Sequence, residues 1–241
     1  MKNGTILWLS GWSMPSTVFD RIRERLPDYH HLSVDYSDVD TPEQMLIRTE
    51  TTCRTRALQD QLLIGGWSLG ALLALRLAAK GFADGLVLMA ATACFTRSKE
   101  NSDLGWADAY VRKMMTGLVQ DRQAVELNFR HLLGTERESK AGIVESLPPI
   151  ASWTTPALIA GLQILRSEEY LSQLQSIHCP VLLVHGTEDK ICPYGAALEL
   201  KAHLPKAKLL TIPECGHVPF LGREDHITCE IRSWWIEQQH K

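Results

Sequence analysis

Nowhere in its 241 residues does the sequence carry a long run of lysine or arginine, and its formal net charge is only −3. A nucleic acid or an anionic membrane would call for a broad basic footprint, so neither is expected as a partner. An apolar run of membrane-spanning length is also missing. The apolar stretch at residues 5–9 is too brief for the core of a signal peptide, which points to a cytoplasmic protein. Six cysteines (Cys53, Cys94, Cys179, Cys192, Cys215, Cys229) occur without a C-x-x-C pair or the short Cys/His spacing that gathers metal ligands. No metal is therefore expected, and the thiols read as free and mostly buried; no organic cofactor is implied by the chemistry set out below. Cys94, Cys192 and Cys215 fall near the rim of the candidate site described below. No internal repeat or low-complexity segment is present.

What is there is apolar material, 45% of the chain, enough for one large core that could carry an inserted subdomain. Short β-rich runs at 5–9, 31–35, 61–65, 85–89, 181–185 and 208–212 alternate with stretches of helical spacing, the pattern of a parallel sheet. Several runs are apolar almost throughout, as strands covered on both faces should be. Helices are expected over 17–26, 42–57 and 69–80, the last rich in Leu and Ala and ended by Gly81. Between about 95 and 175 the β-α rhythm breaks into amphipathic pieces (106–118, 122–133, 155–165) with no convincing strand. This reads as a helical cap over 96–175, above the carboxyl ends of the strands, inserted into a core of 1–95 and 176–241.

Leu62 to Leu73 supplies strand, tight turn and helix in that order around Gly66-Trp67-Ser68-Leu69-Gly70. A serine hydroxyl is a poor nucleophile unless held where a base can reach it, and a sharp turn does this only if its neighbours are small. An orienting acid and then the base should follow, each just after a strand. The strand 181–185 leads into Gly186-Thr187-Glu188-Asp189, where Asp189 fits the pattern H-G-x-x-D with a proline four residues on, and Glu188 is the competitor. The last strand leads into Gly216-His217-Val218-Pro219, which makes His217 the base. His185, at a strand end, reads as a structural histidine. An oxyanion formed at such a site needs two backbone N–H donors, here Leu69 and, in the loop Ser10-Gly11-Trp12-Ser13-Met14, Trp12.

Together Ser10-Gly11-Trp12, Gly66-Trp67-Ser68-Leu69-Gly70, His185-Gly186-x-x-Asp189 and Gly216-His217-x-Pro219-Phe220 resemble the α/β-hydrolase superfamily. More narrowly they resemble the BioH group, whose named activity is pimeloyl-[acyl-carrier protein] methyl ester carboxylesterase, a step of biotin synthesis. Ala93-Cys94-Phe95-Thr96, the 129–136 stretch and Gly161-Leu162-Gln163-Ile164-Leu165 carry the narrower likeness. The resemblance implies an α/β-hydrolase fold with a mostly parallel sheet of about six strands, flanked by helices and carrying the cap. Ser10 stands where the family usually has histidine, and Ala71 where a third glycine is common. The start of the chain almost at the first strand points to a minimal sheet.

The implied chemistry is ester hydrolysis through Ser68, His217 and Asp189, with Trp12, Trp67, Leu69, Phe129, Leu133 and His217 meeting an aliphatic acyl group. The substrate would be a small-molecule or carrier-protein-bound acyl ester, with an acyl carrier protein as a partner. Arg112, Lys113, Arg122, Arg130 and Arg137 lie on the cap, interleaved with acids as on a solvated helix surface. Three alternatives keep the triad: a thioesterase, a carbon–carbon bond hydrolase, and the lyase of menaquinone synthesis. A fourth, a non-catalytic binding protein on the same fold, keeps only the scaffold.

Overall fold

The apolar runs become the buried strands of a sheet in the computed structural model, which describes residues 4–55, 61–150 and 152–240. In chain order the elements are β1 (Thr5–Leu9), α1 (Asp20–Glu24), β2 (His30–Ser33), α2 (Pro42–Arg54), β3 (Leu62–Trp67), α3 (Leu69–Ala79), β4 (Gly85–Met89) and the two-residue strands β5 (Thr96–Arg97) and β6 (Trp106–Ala107). Then follow α4 (Asp108–Gln120), α5 (Arg122–Leu132), α6 (Glu136–Lys140), α7 (Thr155–Ser167), β7 (Val181–Gly186), α8 (Tyr194–His203), β8 (Ala207–Ile212) and α9 (Glu224–Gln239). Six strands form one sheet in the order β2-β1-β3-β4-β7-β8, every neighbouring pair parallel.

β1, β3, β4 and β7 are buried along their whole length, as strands roofed by helices on both faces must be. β2 and β8, at the two edges, are only partly covered. α3 buries nine of its eleven residues, the consequence of its Leu and Ala content. The strand order reverses at β1, from which the chain steps to β2 on one side and β3 on the other. Loops leaving β1 and β3 therefore diverge and open a crevice at the carboxyl edge of the sheet.

Boundaries differ from the sequence expectation where local signals compete. The helix expected over 17–26 is split into a 3-10 turn at Ser16–Phe19 and the short α1. Of the helix expected over 42–57, α2 accounts for Pro42–Arg54, opened by Thr41, whose hydroxyl accepts the Gln44 N–H, and by Pro42 in the first turn; residues 56 and 57 lie outside the described residues. The segment expected to lack strands contains β5 and β6, paired Thr96 to Trp106 and Arg97 to Ala107, so the helix expected from 106 begins at Asp108. Two-residue strands are too short to leave a period-two pattern.

The helices between β4 and β7 are tied to the carboxyl-edge loops. Trp12 Nε1–H donates to the Leu158 carbonyl on α7 at 2.8 Å, Trp153 Nε1–H to the Met14 carbonyl at 3.2 Å, and the Ser13 hydroxyl to Glu126 on α5 at 2.5 Å. Among the described residues, no helix is long and apolar enough to cross a membrane.

Candidate active site

Ser68 sits where β3 ends and α3 begins, with φ 56° and ψ −119°. For a residue with a Cβ this left-handed conformation costs about 1–3 kcal/mol and persists only where the surroundings enforce it. They do: the Ser68 N–H extends the ladder to the Met89 carbonyl at 3.0 Å, while its carbonyl accepts the N–H of Ala71 at 2.9 Å and of Leu72 at 3.2 Å. The turn is so tight that a Cβ on Gly70 would collide with the Leu9 carbonyl. The strain lifts the Ser68 side chain out of the ladder toward the end of β8.

There the Ser68 hydroxyl donates to His217 Nε2 at 2.8 Å, and His217 Nδ1–H donates to Asp189 Oδ2 at 2.8 Å. The opposite oxygen, Oδ1, accepts the N–H groups of Ile191 at 2.8 Å and Cys192 at 2.9 Å. Burial by itself would raise the Asp189 pKa, but the pull of His217 and hydrogen bonds from His185 and His217 outweigh it and hold the carboxyl well below the usual range. Asp189 is thus an anion throughout the neutral range. Glu188, the competing acid, is exposed, and its N–H goes to the Cys215 carbonyl at 2.9 Å. Ser68 itself is only 6% exposed, and His217 is fully buried.

Leu69 opens α3, so its N–H is among the donors that a helix start leaves without an intrahelical acceptor. Trp12 lies in the loop after β1, closed into a turn by Met14 N–H to the Gly11 carbonyl at 3.2 Å and by the Ser10 hydroxyl to the Met14 carbonyl at 2.8 Å. Serine at position 10 therefore closes the loop that histidine would occupy in the family pattern. Phe129 meets the Trp12 ring edge-on with centroids 4.8 Å apart, and it also lines an apolar groove of about 290 Å³ between α4 and α5, with Trp106, Tyr110, Met114 and Leu132.

Trp67 and Leu133 do something the sequence reading did not assign to them. The Trp67 indole, expected at an acyl slot, donates to the His217 carbonyl at 2.8 Å, and its ring packs edge-on against Phe220 at 5.5 Å. The Leu133 carbonyl accepts the His217 N–H at 2.7 Å. The histidine's own peptide groups are thereby held from both sides. His185 is buried; its Nε2–H donates to the Cys192 carbonyl at 2.8 Å and lies 3.3 Å from Asp189 Oδ2, so this structural histidine also buttresses the acid.

A model of the alpha/beta hydrolase family matches residues 6–226. The chain belongs to the alpha/beta hydrolase family. The likeness read from the motifs extends to the narrower group: a pimeloyl-[acyl-carrier protein] methyl ester esterase of Nitrosomonas europaea is 34% identical over 93% of each chain. Among solved structures, an esterase from Exiguobacterium antarcticum superimposes with a TM-score of 0.79 over 97% of this chain and 92% of its own, at 19% identity. A thermophilic esterase from Thermogutta terrifontis gives 0.80 over 98% and 90%, also at 19% identity. At that identity the two structures speak for the fold.

In this alpha/beta hydrolase the cations named on the helices between β4 and β7 are largely engaged. Arg112 pairs with Asp108, Arg122 with Glu126 and Arg137 with Glu214, and the half-buried Arg130 donates to the carbonyls of Val144, Leu147 and Pro148. Arg130 thus ties α5 to the chain beyond α6. Burial pushes the thiols of Cys192 and Cys215 up and that of Cys179 to about 11, which keeps these three protonated and unreactive at neutral pH.

Proposed function

We propose that the chain is a serine esterase that cleaves carboxylic esters of aliphatic acids, with Ser68 as nucleophile, His217 as general base and Asp189 as its orienting acid. The reading is carried by one observation: the unbroken series of 2.8 Å hydrogen bonds from Ser68 Oγ to His217 and from His217 to an ionised Asp189. As Oγ attacks the ester carbonyl, His217 Nε2 takes its proton, and the resulting imidazolium is stabilised by Asp189. The N–H groups of Trp12 and Leu69 receive the oxyanion. His217 then protonates the departing alcohol, and water, deprotonated by the same nitrogen, releases the acid from Ser68.

The substrate we propose is a pimeloyl-[acyl-carrier protein] methyl ester, the substrate in the name of the Nitrosomonas relative. The helices over 96–175 serve as the cap, with Trp12, Leu69, Phe129 and Leu133 against the acyl chain. Its apolar lining suits an aliphatic chain better than a sugar or phosphate. Mass spectrometry of a pimeloyl-carrier-protein methyl ester incubated with the enzyme should show loss of the methyl group. The gene should also restore growth without biotin in a host lacking its own pimeloyl methyl esterase. An enzyme that turns over p-nitrophenyl esters yet leaves the carrier-bound ester intact would retain the esterase assignment and lose the substrate.

Phe129 both packs against Trp12 and lines the groove between α4 and α5. Phe129→Ala should remove that ring and shift the chain-length profile of p-nitrophenyl esters toward longer acyl groups. Losing one apolar contact of this size is worth about tenfold in kcat/KM for the short chains. An unchanged profile across the ester series would remove Phe129 from the acyl slot.

A further inference from the structure

Thr135 to Glu138 spells a capping box, and at the start of α6 it forms one: the Thr135 hydroxyl accepts the Glu138 N–H at 3.1 Å, and Glu138 Oε2 accepts the Thr135 N–H at 3.0 Å. A capping-box glutamate normally finishes its work there, at the surface. Glu138 is instead buried, and Oε2 is shared: it also accepts the N–H of Gly216 at 2.9 Å, the residue before His217. Its other oxygen, Oε1, accepts from Arg223 Nη2 at 2.9 Å. Burial alone would raise this carboxyl's pKa, but the amides of Thr135 and Gly216, the Cys215 thiol and Arg223 hold it below its usual value.

The approach that makes this contact is unusually close. A Cβ on Gly216 would lie 2.7 Å from the Leu133 carbonyl oxygen and 3.0 Å from Gly134 Cα, so the two backbones can meet only because residue 216 is glycine. The next peptide adds His217 N–H to the Leu133 carbonyl at 2.7 Å, and the one after it is held by the Trp67 indole on the His217 carbonyl. Two consecutive N–H groups of the histidine turn thus end on the stretch 133–138. A base whose nitrogen must sit 2.8 Å from a hydroxyl has little tolerance: a misplacement of about 1 Å can cost on the order of a hundredfold in rate.

We propose that Glu138 is a positioning residue for His217: by holding the Gly216 N–H from the inserted helices it sets the turn that aims the imidazole at Ser68. The proposal rests on the serine-esterase reading. It makes the base dependent on a seated cap, since lifting 133–138 removes both of these backbone anchors from the histidine turn.

The test separates reach from charge. Glu138→Gln keeps an oxygen at the same distance from Gly216, whereas Glu138→Asp keeps the charge but is one methylene too short, and Glu138→Ala keeps neither. With p-nitrophenyl acetate, whose acyl group is too small to need the cap, the Asp and Ala variants should lose about tenfold or more in kcat, with KM within about twofold of wild type. Labelling of Ser68 by a fluorophosphonate should slow by the same factor, and the Gln variant should keep at least about a third of both rates. Asp and Ala variants within twofold of wild type in kcat would overturn the proposal. So would equal losses in all three variants that track a fall in melting temperature, because that is the signature of a purely structural glutamate. If Ala does not fold, the Asp and Gln pair still decides. A wild-type enzyme that the probe fails to label defeats the esterase reading instead, which keeps the two failures apart.

Discussion

Ser68→Ala should lower the turnover of a p-nitrophenyl ester by on the order of a millionfold, the loss seen when the nucleophile of a serine hydrolase is removed. The serines of the loop after β1 are held elsewhere and do not replace it. Ser10 Oγ is committed to the Met14 carbonyl and Ser13 Oγ to Glu126, and both side chains serve the loop after β1. The residual rate should come from the oxyanion donors and substrate binding, which the substitution leaves in place. Covalent capture by a fluorophosphonate should vanish with the hydroxyl, while binding of a non-hydrolysable ester analogue should change little. A Ser68→Ala enzyme that retains near-full activity would end the assignment of Ser68 as nucleophile.

How much of this could be read from the chain depends on how local each signal is. The elbow is a contiguous pattern, so strand, turn and helix around Ser68 were legible at once, and the order acid then histidine at later strand ends followed from the run of β-rich segments. The sheet was legible for the same reason: β1, β3, β4 and β7 are nearly continuous apolar runs, and their burial on both faces matches that pattern. Contacts across large sequence separations were not. Trp67 reaches the His217 carbonyl across 150 positions, and nothing in Gly-Trp-Ser-Leu-Gly says which way the indole turns. Glu138 shows the difference within a single residue. The capping box at Thr135 could have been read from its spacing, and would have found α6, but the second bond to Gly216, 78 positions away, depends on how the helices between β4 and β7 settle on the sheet. Packing between elements, not propensity within them, decides that.

Asp189→Asn should cost about four orders of magnitude in kcat with KM little changed, because it reverses the direction of one hydrogen bond. In the wild type both oxygens accept: Oδ1 from the N–H groups of Ile191 and Cys192 and, at 3.0 Å, from His217 Nδ1–H, whose shorter bond of 2.8 Å goes to Oδ2. An asparagine has only one accepting oxygen. The two fixed backbone donors claim it, which turns the amide NH₂ toward His217. Nδ1 must then accept, the ring proton moves to Nε2, and Nε2 can no longer take the proton of Ser68. The fold should tolerate the change, since shape and the two backbone bonds are kept. Acid stability gives a second reading of the same carboxylate. Its pKa is lowered in the folded state, so its stabilising contribution is complete above the unfolded value of about 3.9 and is lost as the pH falls toward the lower folded value. The difference in melting temperature between wild type and Asp189→Asn should therefore be level at neutral pH and begin to narrow only below about pH 4. Glu188→Gln, at the exposed neighbour, should leave both kcat and this acid profile in place. Were the Asn variant to keep more than a tenth of wild-type kcat, or the Glu188 variant to fall as far, Asp189 would not be the group that orients His217.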